Sequence, residues 1–323
     1  MRVTCCLSFM INEKVDCVNM SLLAFDVGGT NVKYAVIDRA GQIIKKDKFP
    51  SPKHSLKDLV KAMGEVCKTL KEEFPLEGIA LSVPGAPNET TGIIQGGSAL
   101  PYLHGPNVQE MIEAETGLTL HMENDAKSAA LCEVWKGAAR DYNDAIFLVL
   151  GTGMGGAIVK DKKVHHGVDL LAGEFGYLIL ESDFEKGVFS TGSQLAATGG
   201  IIRQVAAAKG VDVESLTGEE IFQAAEEGSC EICVKTVERF YESVAVCMFN
   251  LMWSFDPEII VVGGAISSRK CLIPKVKEKL EFIRKNFDAN INDVNPDIVT
   301  CQFEGDANLL GAAYHYLQAE NLI

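Results

Sequence analysis

Leu22-Leu23-Ala24-Phe25-Asp26-Val27-Gly28-Gly29-Thr30-Asn31-Val32-Lys33-Tyr34-Ala35-Val36-Ile37 is an apolar run, a glycine pair and a second apolar run. The pattern predicts strand, tight turn and strand, closed by a further turn at Asp38-Arg39-Ala40-Gly41. Glycines at 28 and 29 leave no side chain in the way of an approaching phosphate, and the backbone N–H groups of such a turn can converge on an anion. Asp26, at the end of the first strand, stands where a carboxylate would meet a Mg²⁺ ion bridging those phosphates. Taken alone the stretch is equally a plain hairpin with a surface acid, so the rest of the chain has to decide.

The motif has an echo. Ala145-Ile146-Phe147-Leu148-Val149-Leu150-Gly151-Thr152-Gly153-Met154-Gly155-Gly156-Ala157-Ile158-Val159 again reads strand, glycine turn, strand. Aligning Gly28 with Gly151 sets Tyr34-Ala35-Val36 opposite Ala157-Ile158-Val159, and each copy ends in a polar turn. Helical segments follow each copy, at 55–73 after the first and at 200–209 and 231–255 after the second. Two related α/β lobes, each presenting a glycine turn, make a phosphate clamp. Gly151 to Gly156 also satisfies G-x-G-x-x-G, but a dinucleotide fold needs a helix after those glycines. Here an apolar run follows that reads as a strand, so the dehydrogenase reading is rejected. A third turn, Gly263-Gly264, closes the buried strand Ile259-Ile260-Val261-Val262 at its C-terminal end, where ligands of open α/β sheets collect.

Composition bounds the class. The chain has 323 residues, room for two domains, with 47% hydrophobic and 7% aromatic residues. Its formal net charge of −14 argues against a nucleic-acid or anionic-membrane partner. Ten cysteines without regular spacing imply reduced thiols of a cytoplasmic protein rather than a disulfide framework. The apolar run Cys5-Cys6-Leu7-Ser8-Phe9-Met10-Ile11 is too short to span a bilayer and lacks a small-residue cleavage site. Residues 1–19 are therefore expected to be a dispensable extension ahead of Met20.

Candidate chemistry lies in Met122-Glu123-Asn124-Asp125-Ala126-Lys127. A short strand, Leu118 to Met122, precedes it and a helix to about Trp135 follows. Asn124 and Asp125 thus sit at a strand-to-helix junction, from which a carboxylate can project as a general base. The competing role, a helix N-cap, is common for both residue types.

In their order along the chain, DVGGTNVK (26–33), ENDA (123–126), LGTGMGGAIV with LLAGEFGY (150–159 and 170–177) and IIVVGGAIS (259–267) resemble the ROK family of repressors, open reading frames and kinases. The resemblance covers nearly everything from Met20 onward. It implies an α/β, two-lobed actin-like ATPase fold of ribonuclease-H-like lobes around a central cleft. The lobes would comprise 20–126 with about 306–323, and 127–305, the final helix from about Asn308 to Glu320 packing on the first. It implies an ATP-dependent sugar kinase in which Asp26, Gly28, Gly29, Thr30, Asn31 and Lys33 face phosphates and Mg²⁺, the metal bound through water at Asp26. Gly151, Thr152 and Gly153 would form the second phosphate loop, with Gly263 and Gly264 against the adenosine. Asp125 matches the catalytic base. Asn124, Glu174, Tyr177, Gln194 and the backbone at Gly85, in the turn after the strand Gly78 to Val83, match sugar contacts. Relatives are often dimers, so a homodimer is implied in the same sense.

Departures from the family pattern matter as much. Tyr177 stands where most members carry a histidine, and no cysteine lies between Cys132 and Cys230. The family's zinc cluster therefore has no ligands here, and no zinc site is expected. The pair Cys230 and Cys233 reads as buried thiols. Gln194 replaces a glutamate, and Ser98-Ala99-Leu100-Pro101-Tyr102 an asparagine-bearing segment. A sugar site altered in this way points away from glucokinase, with N-acetylmannosamine and β-glucosides as the open alternatives and O6 as the expected acceptor. A repressor of this family would need a DNA-binding domain ahead of the first loop, where only residues 1–19 stand. A non-catalytic sugar sensor would keep the loops and tend to lose the base, whereas Asp26 and Asp125 are both present.

Overall fold

The computed structural model describes residues 20–287 and 294–323. Residues 1–19, the expected extension, lie outside the described residues. The described residues divide into two compact units, one of residues 20–132 with 305–323 and the other within 133–304. The division falls inside the helix Asp125–Lys136 that follows the junction.

In the first unit, β1 (Ser21–Val27), β2 (Asn31–Asp38) and β3 (Ile43–Pro50) form an antiparallel meander. β4 (Leu76–Val83) then joins β1 in parallel and β7 (Leu120–Asn124) joins β4 in parallel, giving the order β3-β2-β1-β4-β7. Between them lie helix α1 (Leu56–Lys71), the small hairpin of β5 (Ala86–Asn88) and β6 (Ile93–Gln95), and helix α2 (Val108–Thr116). The junction helix is α3 (Asp125–Lys136). β1 is buried on both faces, with Leu22, Leu23, Ala24 and Phe25 at 0% exposure. That accounts for its continuous apolar run, in contrast to the alternation of a strand covered on one face. β3 is the exposed edge, and Lys45, Lys46 and Lys48 give it the charge that discourages edge-to-edge pairing.

The second unit repeats the plan. β8 (Ala145–Leu150), β9 (Met154–Lys160) and β10 (Lys163–Val164) are antiparallel, then β13 (Ile259–Gly263) and β14 (Asp297–Thr300) add in parallel, in the order β10-β9-β8-β13-β14. Strand for strand this is the order and sense of the first unit, so the repeat visible around Gly28 and Gly151 extends through both sheets. Between β10 and β13 lie the hairpin of β11 (Ile179–Asp183) and β12 (Val188–Thr191) and the helices α4 (Gly192–Leu195), α5 (Thr198–Lys209), α6 (Gly218–Glu226) and α7 (Glu231–Phe255). Helix α8 (Leu272–Asn286) precedes β14. Helix α5 starts two residues before the expected Gly200, because Thr198 and Gly199 already turn back onto Gly151 O.

The chain passes between the units at 132/133 and 304/305, and buried Glu133 stands beside both passages. Its Oε1 accepts the N–H groups of Gln302 and Phe303 at 2.8 and 2.7 Å, and its Oε2 that of Ala138 at 2.7 Å.

The last helix, α9 (Ala307–Ala319), packs on β1, β4 and β7 of the first unit. Its Gly311 meets helix α3 so closely that a Cβ there would overlap the Ser128 carbonyl oxygen and press on Ser128 Cα. The obstruction is backbone, which cannot swing aside as a side-chain tip can. Replacing Gly311 by alanine should therefore cost about 1–3 kcal/mol or more, despite alanine's better helix propensity. A lowered urea midpoint for Gly311→Ala would show this, whereas an unchanged or raised midpoint would contradict the close approach.

Candidate active site

Three chain reversals meet at the C-terminal ends of β1, β4 and β7 in the first unit. The first is the turn Gly28 to Thr30, where Gly28 N–H donates to Asn31 O at 3.1 Å. Ser51 braces it by donating Oγ–H to Gly28 O at 2.5 Å and N–H to Thr30 O at 2.9 Å. Lys53 Nζ donates to Gly29 O. A Cβ on Gly29 would stand 3.1 Å from the Ala99 methyl, so the loop that lacks the family's asparagine lies against this turn.

Asp26, one register step before the turn, is 9% exposed and is no loose surface acid. Its Oδ1 accepts from Ser82 Oγ at 3.2 Å and from Asn308 Nδ2 at 3.0 Å, while Lys33 Nζ lies 3.7 Å from Oδ2. One carboxylate oxygen is thus fixed by neighbouring elements and the other faces a cation. The donor type suits Mg²⁺, a hard ion that takes oxygen ligands. Lys33 also donates to Gly305 O at 3.1 Å, which ties the turn to the start of the last helix.

The second reversal is Pro84-Gly85. Gly85 has φ +96°, and a Cβ there would stand 2.6 Å from Gln95 O and 3.0 Å from His104 Cε1. Only glycine fits a left-handed position so crowded. His104, whose Nε2 lies 2.9 Å from Ser98 Oγ, thereby joins the candidate site. Nothing in the sequence singles out this histidine, because only the fold of the 96–104 loop brings it to Gly85.

The third reversal is the junction itself. Asn124 Oδ1 accepts the N–H groups of Ala126 and Lys127 at 3.0 and 3.1 Å, so Asn124 is the N-cap of α3. Its Nδ2 donates to Gly85 O at 2.9 Å, bridging the second and third reversals. The oxygen and one amide hydrogen of this side chain are thus engaged within the protein. Asp125 follows as the first residue of α3, exposed, with Oδ1 accepting Ala126 N–H at 2.8 Å.

In the second unit the turn Gly151 to Gly153 is closed by Gly151 N–H donating to Gly153 O at 2.9 Å. Thr198 N–H donates to Gly151 O at 2.9 Å, which brings the start of α5 against the turn. Gly264, at φ +91°, lies against the same strand end, where a Cβ would overlap Leu150 O. Gly263 pairs with Val149 in the parallel ladder. The second and third glycine turns of the sequence therefore sit side by side.

Ser193 links this turn to the expected sugar contacts. Its Oγ accepts Met154 N–H at 3.0 Å, and a Cβ on Gly176 would overlap that same Oγ. In the GEFGY segment Phe175 and Gly176 are buried, whereas Glu174 and Tyr177 are exposed, Tyr177 at 79%. Gln194 is exposed too, but its Oε1 accepts Thr191 N–H at 2.8 Å, so this side chain caps α4. Cys230, read above as a buried thiol, is only half-buried and caps α7 by accepting Cys233 N–H at 3.3 Å; Cys233 itself is buried. No helix among the described residues is long and apolar enough to cross a membrane.

With this geometry in place, known proteins supply the context. A profile described as the ROK family matches residues 22–319. A β-glucoside kinase from Listeria monocytogenes is 36% identical over 306 residues, covering 94% of this chain and 99% of its own length. A β-glucoside kinase from Klebsiella pneumoniae is 30% identical over 305 residues, covering 93% and 97% respectively. The crystal structure of a ROK family protein from Streptococcus pneumoniae in complex with sucrose matches with a TM-score of 0.83 at 34% identity, covering 94% of this chain and 100% of that one. The chain belongs to the ROK family, and its fold is the two-lobed actin-like ATPase fold of that family.

The bridging role of Asn124 has a measurable consequence. Asn124→Ser keeps a capping oxygen but leaves Gly85 O without its donor, and Asn124→Ala removes both. Urea unfolding should rank wild type above serine and serine above alanine, each step about 1 kcal/mol. Equal stability of all three proteins would show that the side chain carries neither bond.

Proposed function

We infer that this chain is an ATP-dependent carbohydrate kinase that phosphorylates O6 of a β-glucoside, with Asp125 as general base. The observation that carries the reading is the Asn124–Asp125 junction: an exposed carboxylate at the first residue of a helix, on a strand end tied to the Gly85 turn. The names of the Listeria and Klebsiella relatives support the sugar class, and the sucrose complex of the pneumococcal relative supports room for a second ring. The replacements at Tyr177 and Gln194 agree with a site that takes more than glucose.

On this reading the primary alcohol, a poor nucleophile, loses its proton to an Asp125 carboxylate oxygen as O6 bonds to the γ-phosphorus. The bond from that phosphorus to the β,γ-bridging oxygen breaks, and ADP departs with the electron pair. Phosphoryl transfer gains most from positioning and from neutralising charge. Backbone N–H groups around Gly28 and Gly29, and around Gly151, Thr152 and Gly153, take phosphate oxygens. Thr30, Asn31 and Lys33 add polar contacts, and Gly263 and Gly264 admit the adenosine because no side chain stands there. Asp26 would hold Mg²⁺ through water, and the bound ion neutralises phosphate charge. Glu174, Tyr177, Gln194, Asn124 and the Gly85 backbone form the sugar contacts.

An ADP-release assay across cellobiose, a methyl β-glucoside, glucose, N-acetylmannosamine and N-acetylglucosamine tests the reading. The β-glucosides should give the highest kcat/KM. A clear preference for N-acetylmannosamine would reassign the sugar, and tight sugar binding without ADP release would favour a sensor. Asp125→Asn should lower kcat at least about 10³-fold while ATP and sugar still bind by calorimetry. Near-normal turnover of that variant would exclude Asp125 as the base.

A further inference from the structure

The first unit gathers three side chains that phosphoryl transfer leaves unused. Glu89 follows β5, His121 lies on edge strand β7, and His315 lies on the last helix. Glu89 Oε1 is 3.1 Å from His121 Nδ1 and 3.2 Å from His315 Nε2. One donor atom from each residue falls within 4.8 Å of the others. A tetrahedral ion with bonds of about 2.0–2.1 Å separates its ligand atoms by about 3.4 Å, close to the two Glu89–histidine spacings. Among the described residues this is the one group of three such ligands.

The far side of each ring faces a further carboxylate. His121 Nε2 lies 2.9 Å from Glu320 Oε1, and His315 Nδ1 lies 3.7 Å from Oε2 of buried Glu123. Each imidazole thus turns one nitrogen to the common carboxylate and the other to a carboxylate of its own. For His121 that outer contact is of hydrogen-bond length, the way proteins orient metal-binding histidines. A cation between His121 Nδ1 and the Glu89 carboxylate would take the place of one imidazole proton, leaving the other on Nε2 for Glu320. Met122 N–H donates at 2.7 Å to Glu89 Oε1, the same oxygen that faces both histidines.

We propose that Glu89, His121 and His315 form a Zn²⁺ site with water in the fourth position. Two imidazoles and one carboxylate are a zinc-type donor set rather than one for Mg²⁺ or Ca²⁺, which take oxygen ligands. The site uses no thiol, so it is distinct from the cysteine cluster whose ligands this chain lacks, and it does not rest on the kinase reading. It clamps the last helix and the β5–β6 hairpin to β7. It also reaches the junction, because Glu123 Oε1 accepts the Asn124 N–H at 2.8 Å.

The test uses the full-length protein, stripped with a chelator, then freed of it and kept without nucleotide. Titrated Co²⁺ should bind at one equivalent, produce visible d–d absorption bands without a thiolate charge-transfer band, and be displaced by Zn²⁺. At a hundredfold excess over Kd, Zn²⁺ should raise the unfolding midpoint by about 5 °C. Glu89→Gln and His315→Gln should each weaken binding at least about tenfold, while a Cys230→Ser, Cys233→Ser double variant binds like wild type. The wild-type titration stands even if a histidine variant fails to fold. Absence of stoichiometric Co²⁺ or Zn²⁺ binding at tens of micromolar metal, or binding abolished in the cysteine variant and retained in Glu89→Gln, would overturn the proposal.

Discussion

Asn124 joins two loops that would otherwise be independent. Its oxygen caps α3 and its amide nitrogen holds the Gly85 carbonyl, so the position of Asp125 depends on the turn after the neighbouring strand. That turn is in turn restricted by the left-handed φ of Gly85 and by the crowding of Gln95 and His104 around it. In the proposed reaction the base must lie within hydrogen-bond reach of the proton that it accepts, and small displacements are costly. Asp125 itself is exposed and short. The chain therefore fixes it through the backbone of α3 and the close contact of Gly311 with Ser128, not by burying it.

The doubled sheet explains why glycines recur at strand ends. In both units the antiparallel hairpin is followed by parallel strands, so several strands release their chain at one edge. Side chains there would collide, as Gly264 with Leu150 O and Gly85 with Gln95 O demonstrate. The same lack of side chains exposes backbone N–H groups, which suits an anion. Packing necessity and phosphate binding thus favour the same residues, and a single glycine turn in a sequence is hard to interpret for that reason.

What was legible in the sequence were features set by local chemistry. The β1–β2 and β8–β9 hairpins, the long helix from Glu231 to Phe255 and the Asn124–Asp125 junction all announce themselves within a few residues. Lysine-rich β3 was hidden because an exposed edge strand has little apolar alternation. The β11–β12 hairpin was hidden because its apolar side chains, such as Phe184 and Phe189, remain exposed and pack mainly on each other, with ring centroids 5.2 Å apart. Cys230 shows the opposite difficulty: a residue type that suggests chemistry serves as a helix cap. His104 at Gly85, Glu133 beside the passages between the units, and the group of Glu89, His121 and His315 depend on residues far apart in the chain. No periodicity or motif marks such pairings.

Phosphorus NMR of the product shows whether the ATP γ-phosphate is transferred to a primary sugar hydroxyl. Protein incubated with MgATP and cellobiose should yield a phosphomonoester whose ³¹P signal is split into a triplet by the two protons on C6. A doublet, from attachment at a carbon bearing a single proton, or no sugar ester with any substrate of the panel, would contradict the account.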